Sequence, residues 1–298
     1  MWKNFLNQVL QANDTVLGIN RRNWQFIKKL NRRSDFPLAN DKIAAKKFLS
    51  QIGIPVARTL AEYESLFQIE EFKDRFQEIN EFVIKPANGS QGRGITVFVS
   101  KNNSGYVTPS GKLFAFHEVE LELASVIFGK YSLGTPDVAL IEERMKPIKM
   151  MEKISPRGLF DIRMIIVKEK PVISMLRLPT FSSDGKANLH QGGIGVGVDV
   201  RTGRTTHAYH LGRVVTQHPD TKEELIHFQV PEWPLILKYT DVIAKNSPLK
   251  YVGIDFTISE NMGPSVLEIN ARPGLEIQNA NQLGLMKILE SSSENNLA

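Results

Sequence analysis

The chain is 298 residues long, with 37 Lys and Arg against 32 Asp and Glu and a formal net charge of +5. Apolar residues make up 42% and charged residues 23%, ordinary globular usage that excludes a disordered or collagen-like chain and leaves length for one large domain or two to three lobes. With no cysteine, the chain has no disulfide, thiolate metal site or cysteine nucleophile, which fits a cytoplasmic protein.

No apolar run reaches the roughly 18 residues of a membrane span, and the first residues lack a signal-peptide core. Trp2, Phe5, Leu6, Val9 and Leu10 fall at helical spacing, and residues 2–31 read as a helix packed on the core or on a partner, with a membrane-surface helix the less favoured alternative because the segment's charge is weak. The excess charge is local: Arg21, Arg22, Lys28, Lys29, Arg32 and Arg33 lie close together. Such a run is ordinarily a solvated helix face, though it can attract phosphates or an anionic peptide. No nucleic-acid module accompanies it, so nucleic acid is not the expected partner.

Residues 34–40 read as a linker. Asn40 or Asp41 then caps a helix over 42–52 that Gly53 stops. A short strand is expected at 54–59 and a helix over 62–79. Phe82–Pro86 reads as a strand entering a Gly-rich loop, and Ile95–Val99 as the strand leaving it. A helix over 117–130 and a strand at 138–143 follow. Residues 160–168 and 172–178 form a hairpin turned at 169–171, and 192–200 is Gly-rich and β-like. A helix over 234–246 precedes a last hairpin, 251–259 with 265–270, and a helix near 279–290; the tail 291–298 is expected to fray. Grouped strands with interspersed helices predict an α+β protein rather than a doubly wound parallel sheet.

Three segments carry chemistry. Val83-Ile84-Lys85-Pro86-Ala87-Asn88-Gly89-Ser90-Gln91-Gly92-Arg93-Gly94 brings strand, lysine and glycines together, so that consecutive N–H groups can point at a phosphate. It lacks the terminal Gly-Lys-Ser/Thr and following helix of a P-loop, and an ordinary hairpin would share its pattern. In the last hairpin, a turn between Asn261 and Met262 makes facing positions sum to 523, placing Asp255 opposite Glu268 and Gly253 opposite Asn270. Two facing carboxylates repel, by a few tenths to about 1 kcal/mol; a bound divalent cation reverses that sign. The oxygen donors suit Mg²⁺ or Mn²⁺ rather than zinc; the alternative is a solvent-facing pair. The third segment holds Arg177 before Pro179, then Asn188-Leu189-His190-Gln191-Gly192-Gly193. An arginine beside a metal–phosphate site stabilises charge on a transferred phosphoryl group. A lone arginine or histidine is more often structural.

In this order the motifs resemble the ATP-grasp superfamily, with the ribosomal-protein glutamate ligase and its relatives as the nearest likeness. The resemblance spans about Asp41 to Glu276 and rests on Asp41-Lys42, Ile84-Lys85 with Gly89–Gly92, Ile141-Glu142-Glu143, Asp161-Ile162-Arg163, Arg177, Asn188–Gly193, Gly253-Ile254-Asp255 and Glu268–Glu276. It implies ATP held between two α+β lobes (residues 41–140 and 141–290), after a helical, basic extension at 1–40 in place of a longer N-terminal domain. It implies a carboxylate activated to an acyl phosphate and captured by an amine. By match, Lys42 and Lys85 contact phosphates, and Gly89, Ser90, Gln91 and Gly92 close over them. Glu142, Glu143, Arg144 and Met145 form the hinge that reads adenine, with Glu143 or Asp161 near ribose or base. Asp255, Glu268 and Asn270 hold Mg²⁺ (or Mn²⁺), and Asn188 sits by the phosphate end. Arg177 steadies the acyl phosphate, while Arg163, His190 and Arg272 are candidates for binding substrate. The expected partners are an amino acid such as glutamate and a peptide or small-molecule acceptor. A protein partner or second copy would stand in for the missing domain. The segment 146–158 is expected to be a lid or partner surface. A non-catalytic ATP-binding scaffold, or an enzyme of peptide modification or polysaccharide assembly, remains the alternative.

Overall fold

The computed structural model describes residues 15–294 except 77, 90, 91, 157 and 184. Ser90 and Gln91, residues 2–14 of the expected first helix and the last four residues lie outside the described residues. The first described helix runs Ile19–Arg21, π-helical Arg22–Ile27 and Lys28–Leu30. Short helical turns at Arg33–Asp35 and Pro37–Asn40 occupy the expected linker.

Helix α1 (Lys42–Gln51) starts where predicted: the Asp41 carboxylate accepts from the N–H groups of Ile43 and Ala44. Gly53 follows it at φ 73°. Strand β1 (Thr59–Tyr63) begins later than expected. Pro55 has no N–H to give, and only an isolated bridge from Val56 to Val266 represents the predicted strand. Two short helices, Leu66–Ile69 and Phe72–Arg75, replace the single helix over 62–79.

Next come β2 (Phe82–Pro86), β3 (Thr96–Phe98), then β4 (Ser100–Asn102), β5 (Gly105–Val107) and β6 (Leu113–Ala115), a small antiparallel sheet not foreseen from sequence. Helix α2 (Phe116–Ile127) leads to β7 (Ala139–Glu142). Strands β1, β7, β2 and β3 form a four-stranded antiparallel sheet. One face packs on α2 through Phe72, Phe76, Phe82, Phe98, Tyr106 and Leu123. Val83, Lys85, Leu140 and Glu142 alternate onto the other face.

Strands β8 (Asp161–Val167), β9 (Lys170–Leu178), β10 (Ile194–Val198), β11 (Thr205–His210) and β12 (Arg213–Val215), helix α3 (Trp233–Asn246), strands β13 (Tyr251–Ser259) and β14 (Gly263–Asn270) and helices α4 (Ile277–Asn281) and α5 (Leu285–Glu294) make the larger lobe. Its seven strands run β12-β11-β10-β9-β8-β13-β14. One face buries Ile162, Met164, Val252, Ile254 and Phe256 against Trp233, Ile236 and Ile243 of α3 and Ala45 and Leu49 of α1. Each such large side chain contributes about 1.5–3 kcal/mol on burial. Helix α1 therefore belongs to the larger core, and β7 to the smaller sheet, so the division at 140/141 is not how the layers pack.

The β8–β9 turn is Lys168-Glu169, both at positive φ, a two-residue connection earlier than expected that matches strand twist. The helix near 279–290 is broken into α4 and α5: Gln282 takes φ 50°, and a Cβ on Gly284 would lie 2.2 Å from the Thr15 carbonyl oxygen. Met151 and Ile154, in the segment expected to form a lid, lie in the larger core, and Pro147 bridges Ser259. No helix among the described residues is long and apolar enough to cross a membrane.

Candidate active site

The second face of the large sheet changes character along its length. At one end Ile165, Val167, Ile173, Met175 and Tyr251 are covered by α4, α5 and the first helix. At the other end the same face carries Asp161, Arg163, Arg177, Asp255, Glu268 and Asn270. Register alone assembles this cluster: Asp161 faces Arg177, Asp255 faces both Arg163 and Glu268, and Gly253 faces Asn270.

The Asp255–Glu268 pairing predicted from the sequence is found, by a route the sequence did not show. The β13–β14 turn spans 260–262 and is centred on Asn261, so Ser259 faces Gly263 and Phe256 faces Val266. A bulge between Asp255 and Phe256 then inserts Leu267 and shifts the register by one. The odd turn and the bulge offset each other. Beyond it, the space opposite Asn270 is taken by Pro273, whose Cβ would lie 2.8 Å from a Cβ on Gly253.

The charged half is tightly bonded. Arg163 donates to both Asp255 oxygens at 2.7 and 2.6 Å. Arg177 donates to Asp161 at 2.5 Å and to Asp255 at 2.8 Å, and the Asn270 amide donates to Asp255 Oδ2 at 3.1 Å. Burial would raise the Asp255 carboxyl, but Arg163 and Arg177 outweigh it and hold it below the ordinary range. Asp161 is pushed up to about 6, by burial first and then by Asp255, although Arg177 and Arg163 oppose the shift. The Arg177 guanidinium is held firmly charged: burial opposes its charge, but Asp161 and Asp255 prevail.

Facing this cluster is a basic group drawn from the start of α1 and from the smaller sheet. Lys42 opens α1; its N–H donates to the Ala87 carbonyl at 3.0 Å and its Nζ to the Gly89 carbonyl at 2.7 Å, so the helix start is stitched to the Gly-rich loop. Burial lowers the Lys42 amine, while Glu268 of the larger lobe acts against that shift. Lys85 on β2 and Lys46 on α1 pair with the two oxygens of Glu142 at 2.5 and 2.7 Å. Glu142 is 3% exposed. Burial would raise its carboxyl, but Lys85 and Lys46 keep it below its ordinary value.

The other residues singled out by the resemblance have these surroundings. The Glu142 side chain is a buried counter-ion for two lysines. Asp161 sits in the cluster with Arg177 and Asp255. Arg163 is already held by Asp255, and exposed Arg272 stacks over the Phe36 ring with its Cζ 5.2 Å from the centroid. Asn188 caps a short turn by accepting from the His190 N–H. His190 lines a surface cavity with Tyr209, Leu211 and Glu276.

The hinge residues join the two sheets. Glu143 accepts from Arg58 Nε at 3.2 Å and from the Asn261 amide at 3.0 Å. Arg144 donates to Glu81 at 2.8 Å, and Lys146 pairs with the other Glu81 oxygen at 2.5 Å. Met145 is buried, and its sulfur accepts from Ser265 Oγ at 3.6 Å.

Sequence reading missed Lys46, Asp137 and Glu81. Lys46 lies four residues after Lys42 on one helix face, a signal that was available. Asp137 has no such signal: it accepts from the Asn88 backbone and amide and from the Val138 N–H and Ser132 hydroxyl, anchoring the Gly-rich loop. Across the loop, the Tyr131 ring lies where a Cβ on Gly94 would be, at 2.4 Å, with Gly94 at φ 73°.

The donors Asp255, Glu268 and Asn270 supply oxygen only, which suits a hard divalent cation. The Glu268 carboxylate, half-buried, makes no ion pair or side-chain hydrogen bond among the described residues. Asp255 is shared with two guanidinium groups, with which a cation would compete. No group of three or more His, Cys, Asp or Glu among the described residues is arranged to hold a metal ion; the candidate set is two carboxylates and an amide.

Solved structures of similar fold include the ATP-grasp ligase PsnB complexed with a minimal precursor, at 14% identity over 88% of this chain and 62% of that one, TM-score 0.47. D-alanyl-alanine synthetase A from Vibrio cholerae O1 biovar eltor matches at 14% identity over 87% and 64%, TM-score 0.48. D-cycloserine synthetase DcsG matches at 14% over 88% and 73%, TM-score 0.45. The chain thus spans less than two thirds of the length of PsnB. No curated protein matches its sequence. The model of the sugar-transfer associated ATP-grasp family matches residues 21–294, nearly the whole described chain, and the protein belongs to that family with the ATP-grasp fold.

Proposed function

We propose that this protein is an ATP-dependent carboxylate–amine ligase working through an acyl phosphate. The observation that carries the reading is the apposition of two unlike charge sets: Lys42 and Lys85 beside a glycine loop, and Glu268, Asn270 and the Arg-clamped Asp255 across from them. One side suits phosphate oxygens, and the other suits a cation between them.

In this reading a substrate carboxylate oxygen attacks the γ-phosphorus of ATP, the bond to the β-phosphate oxygen breaks, and ADP leaves. An amine nitrogen then attacks the acyl carbon. The C–O bond to phosphate breaks, inorganic phosphate departs, and the nitrogen loses a proton to solvent. Lys42 and Lys85 hold phosphate oxygens. Arg177, partly buried and kept charged by Asp161 and Asp255, faces the transferred phosphoryl group. Asp255, Glu268 and Asn270 hold Mg²⁺ (or Mn²⁺), which when bound neutralises charge on the phosphates. Positioning and charge neutralisation then suffice, and no serine or cysteine nucleophile is needed.

The resemblance to the glutamate-ligase group supports an amino acid such as glutamate joined to a peptide or small acceptor. The family's description as sugar-transfer associated favours a second reading of the same chemistry, on an acceptor of polysaccharide assembly. Phosphate release from ATP, screened over amino acids, short peptides and amino sugars with product mass measured, separates the two. Turnover that requires both a carboxylate and an amine, and disappears in Asp255→Asn, supports the ligase. ATP binding without turnover under any pair would favour a scaffold.

A further inference from the structure

The basic stretch before the cleft takes no part in it. Residues 15–34 carry Arg21, Arg22, Lys28, Lys29, Arg32 and Arg33 and no acidic residue, so they hold more positive charge than the +5 of the whole chain. The fold sorts these residues by burial. The π-helical stretch Arg22–Ile27 lets side chains five apart, Arg22 and Ile27, both turn inward. Arg22 then donates to the Pro273 carbonyl at 2.9 Å. Asn31 donates to the Tyr251 carbonyl at 2.8 Å and accepts from the Lys250 and Tyr251 N–H groups. Leu17 and Ile27 are buried in the adjoining core.

This anchoring fixes which side faces outward. Lys28, Lys29, Arg32 and Arg33 are exposed. Trp24 is 60% exposed, with Lys28 Nζ 3.8 Å above its ring, and Ile19 and Val16 are 63% and 46% exposed. Large apolar and basic side chains are therefore held outward together on one short element.

We infer that this face docks on a bilayer surface bearing anionic headgroups. Charge complementarity supplies the long-range attraction, roughly fivefold in partitioning for each basic residue near such a surface. A tryptophan beside lysines is the composition of an interfacial anchor, its ring seated at headgroup level. The aliphatic residues decide between a bilayer and a nucleic acid: Val16 and Ile19 gain from the headgroup–acyl boundary and gain nothing from phosphodiesters. Because Arg22 and Asn31 tie the helix to the larger lobe, docking requires no unfolding of the element.

The test is co-sedimentation of the full chain with phosphatidylcholine vesicles that do or do not carry phosphatidylglycerol. Binding is expected only with phosphatidylglycerol, and it weakens as salt rises. Replacing Lys28, Lys29, Arg32 and Arg33 together by glutamine lowers partitioning by about 10²–10³-fold, with ATP binding unchanged as the check on folding. Brominated lipid quenches part of the tryptophan emission of the parent protein, and Trp24→Ala removes that component. Equal binding to both vesicle types overturns the proposal. So does binding to RNA or polyglutamate, lost in the same quadruple variant, without binding to vesicles.

Discussion

The two sides of the cleft are organised by different physics. In the larger lobe, sheet register delivers the cluster: four neighbouring strands place Asp161, Arg163, Arg177, Asp255 and Glu268 on one face, and reciprocal ion pairs lock it. On the other side the start of α1, a strand of the smaller sheet and a glycine loop meet at one point, and a single carboxylate, Glu142, holds two lysines. The first arrangement is rigid because the strands are. The second rests on a few bonds to a loop, those of Lys42 and Asp137, and it is the side that can adjust to phosphates.

The contrast predicts unequal sensitivity. The largest effect belongs to Asp255→Asn. Asp255 is 2% exposed, and removing its charge leaves Arg163 without its counter-ion and Arg177 with Asp161 alone, a loss of about 3–5 kcal/mol. Urea unfolding checks it, and turnover is expected to vanish in the fraction that remains folded. An unchanged midpoint would break the claim that the larger lobe is locked by this carboxylate.

Glu142→Gln comes next, at about 3 kcal/mol, since two lysines lose their buried partner. It also sharpens the comparison through pH. Because Lys85 and Lys46 hold Glu142 below its ordinary value, its contribution to stability is fully present above the unfolded carboxylate range of about 4–5 and is lost as pH falls through the lower native value. Unfolding measured from about pH 7 to about pH 3 should lose part of its acid limb in the variant.

Gly94→Ala tests the loop. Its positive φ and the Tyr131 ring beside it predict a cost of about 1–2 kcal/mol, with a raised KM for ATP as the functional readout. The smallest effect is expected at Arg144. Its pair with Glu81 is partly exposed, so Arg144→Ala costs less than about 1 kcal/mol and leaves ATP affinity near that of the parent if the hinge reads adenine through its backbone. A large loss of affinity would assign the side chain a direct role.

The legible part of the fold was the part written in local patterns. The Asp41 cap, the strand–glycine–strand passage around Lys85, α3 and both strands of the last hairpin announce themselves through capping, alternation and periodicity. What was not legible depends on long-range partners. The bulge at Leu267 compensates a turn that alternation alone misplaces by half a residue. The small sheet β4–β6 is short and half polar, without a strong period. Arg163 reads as a candidate for substrate, without its ion pair, because that partner lies ninety-odd residues away in sequence, at Asp255. Asp137 reads as a loop residue until Asn88 is seen to donate to it.

The central claim, that a cation and nucleotide phosphates lie between Lys42 and Lys85 on one side and Asp255, Glu268 and Asn270 on the other, is tested most directly by a crystal grown with a non-hydrolysable ATP analogue and Mn²⁺. The account predicts an anomalous manganese signal bonded to Asp255 and Glu268, with phosphate oxygens on Lys42 and Lys85. A nucleotide bound with its phosphates away from both lysines, or manganese with no ligand among those three residues, would contradict it.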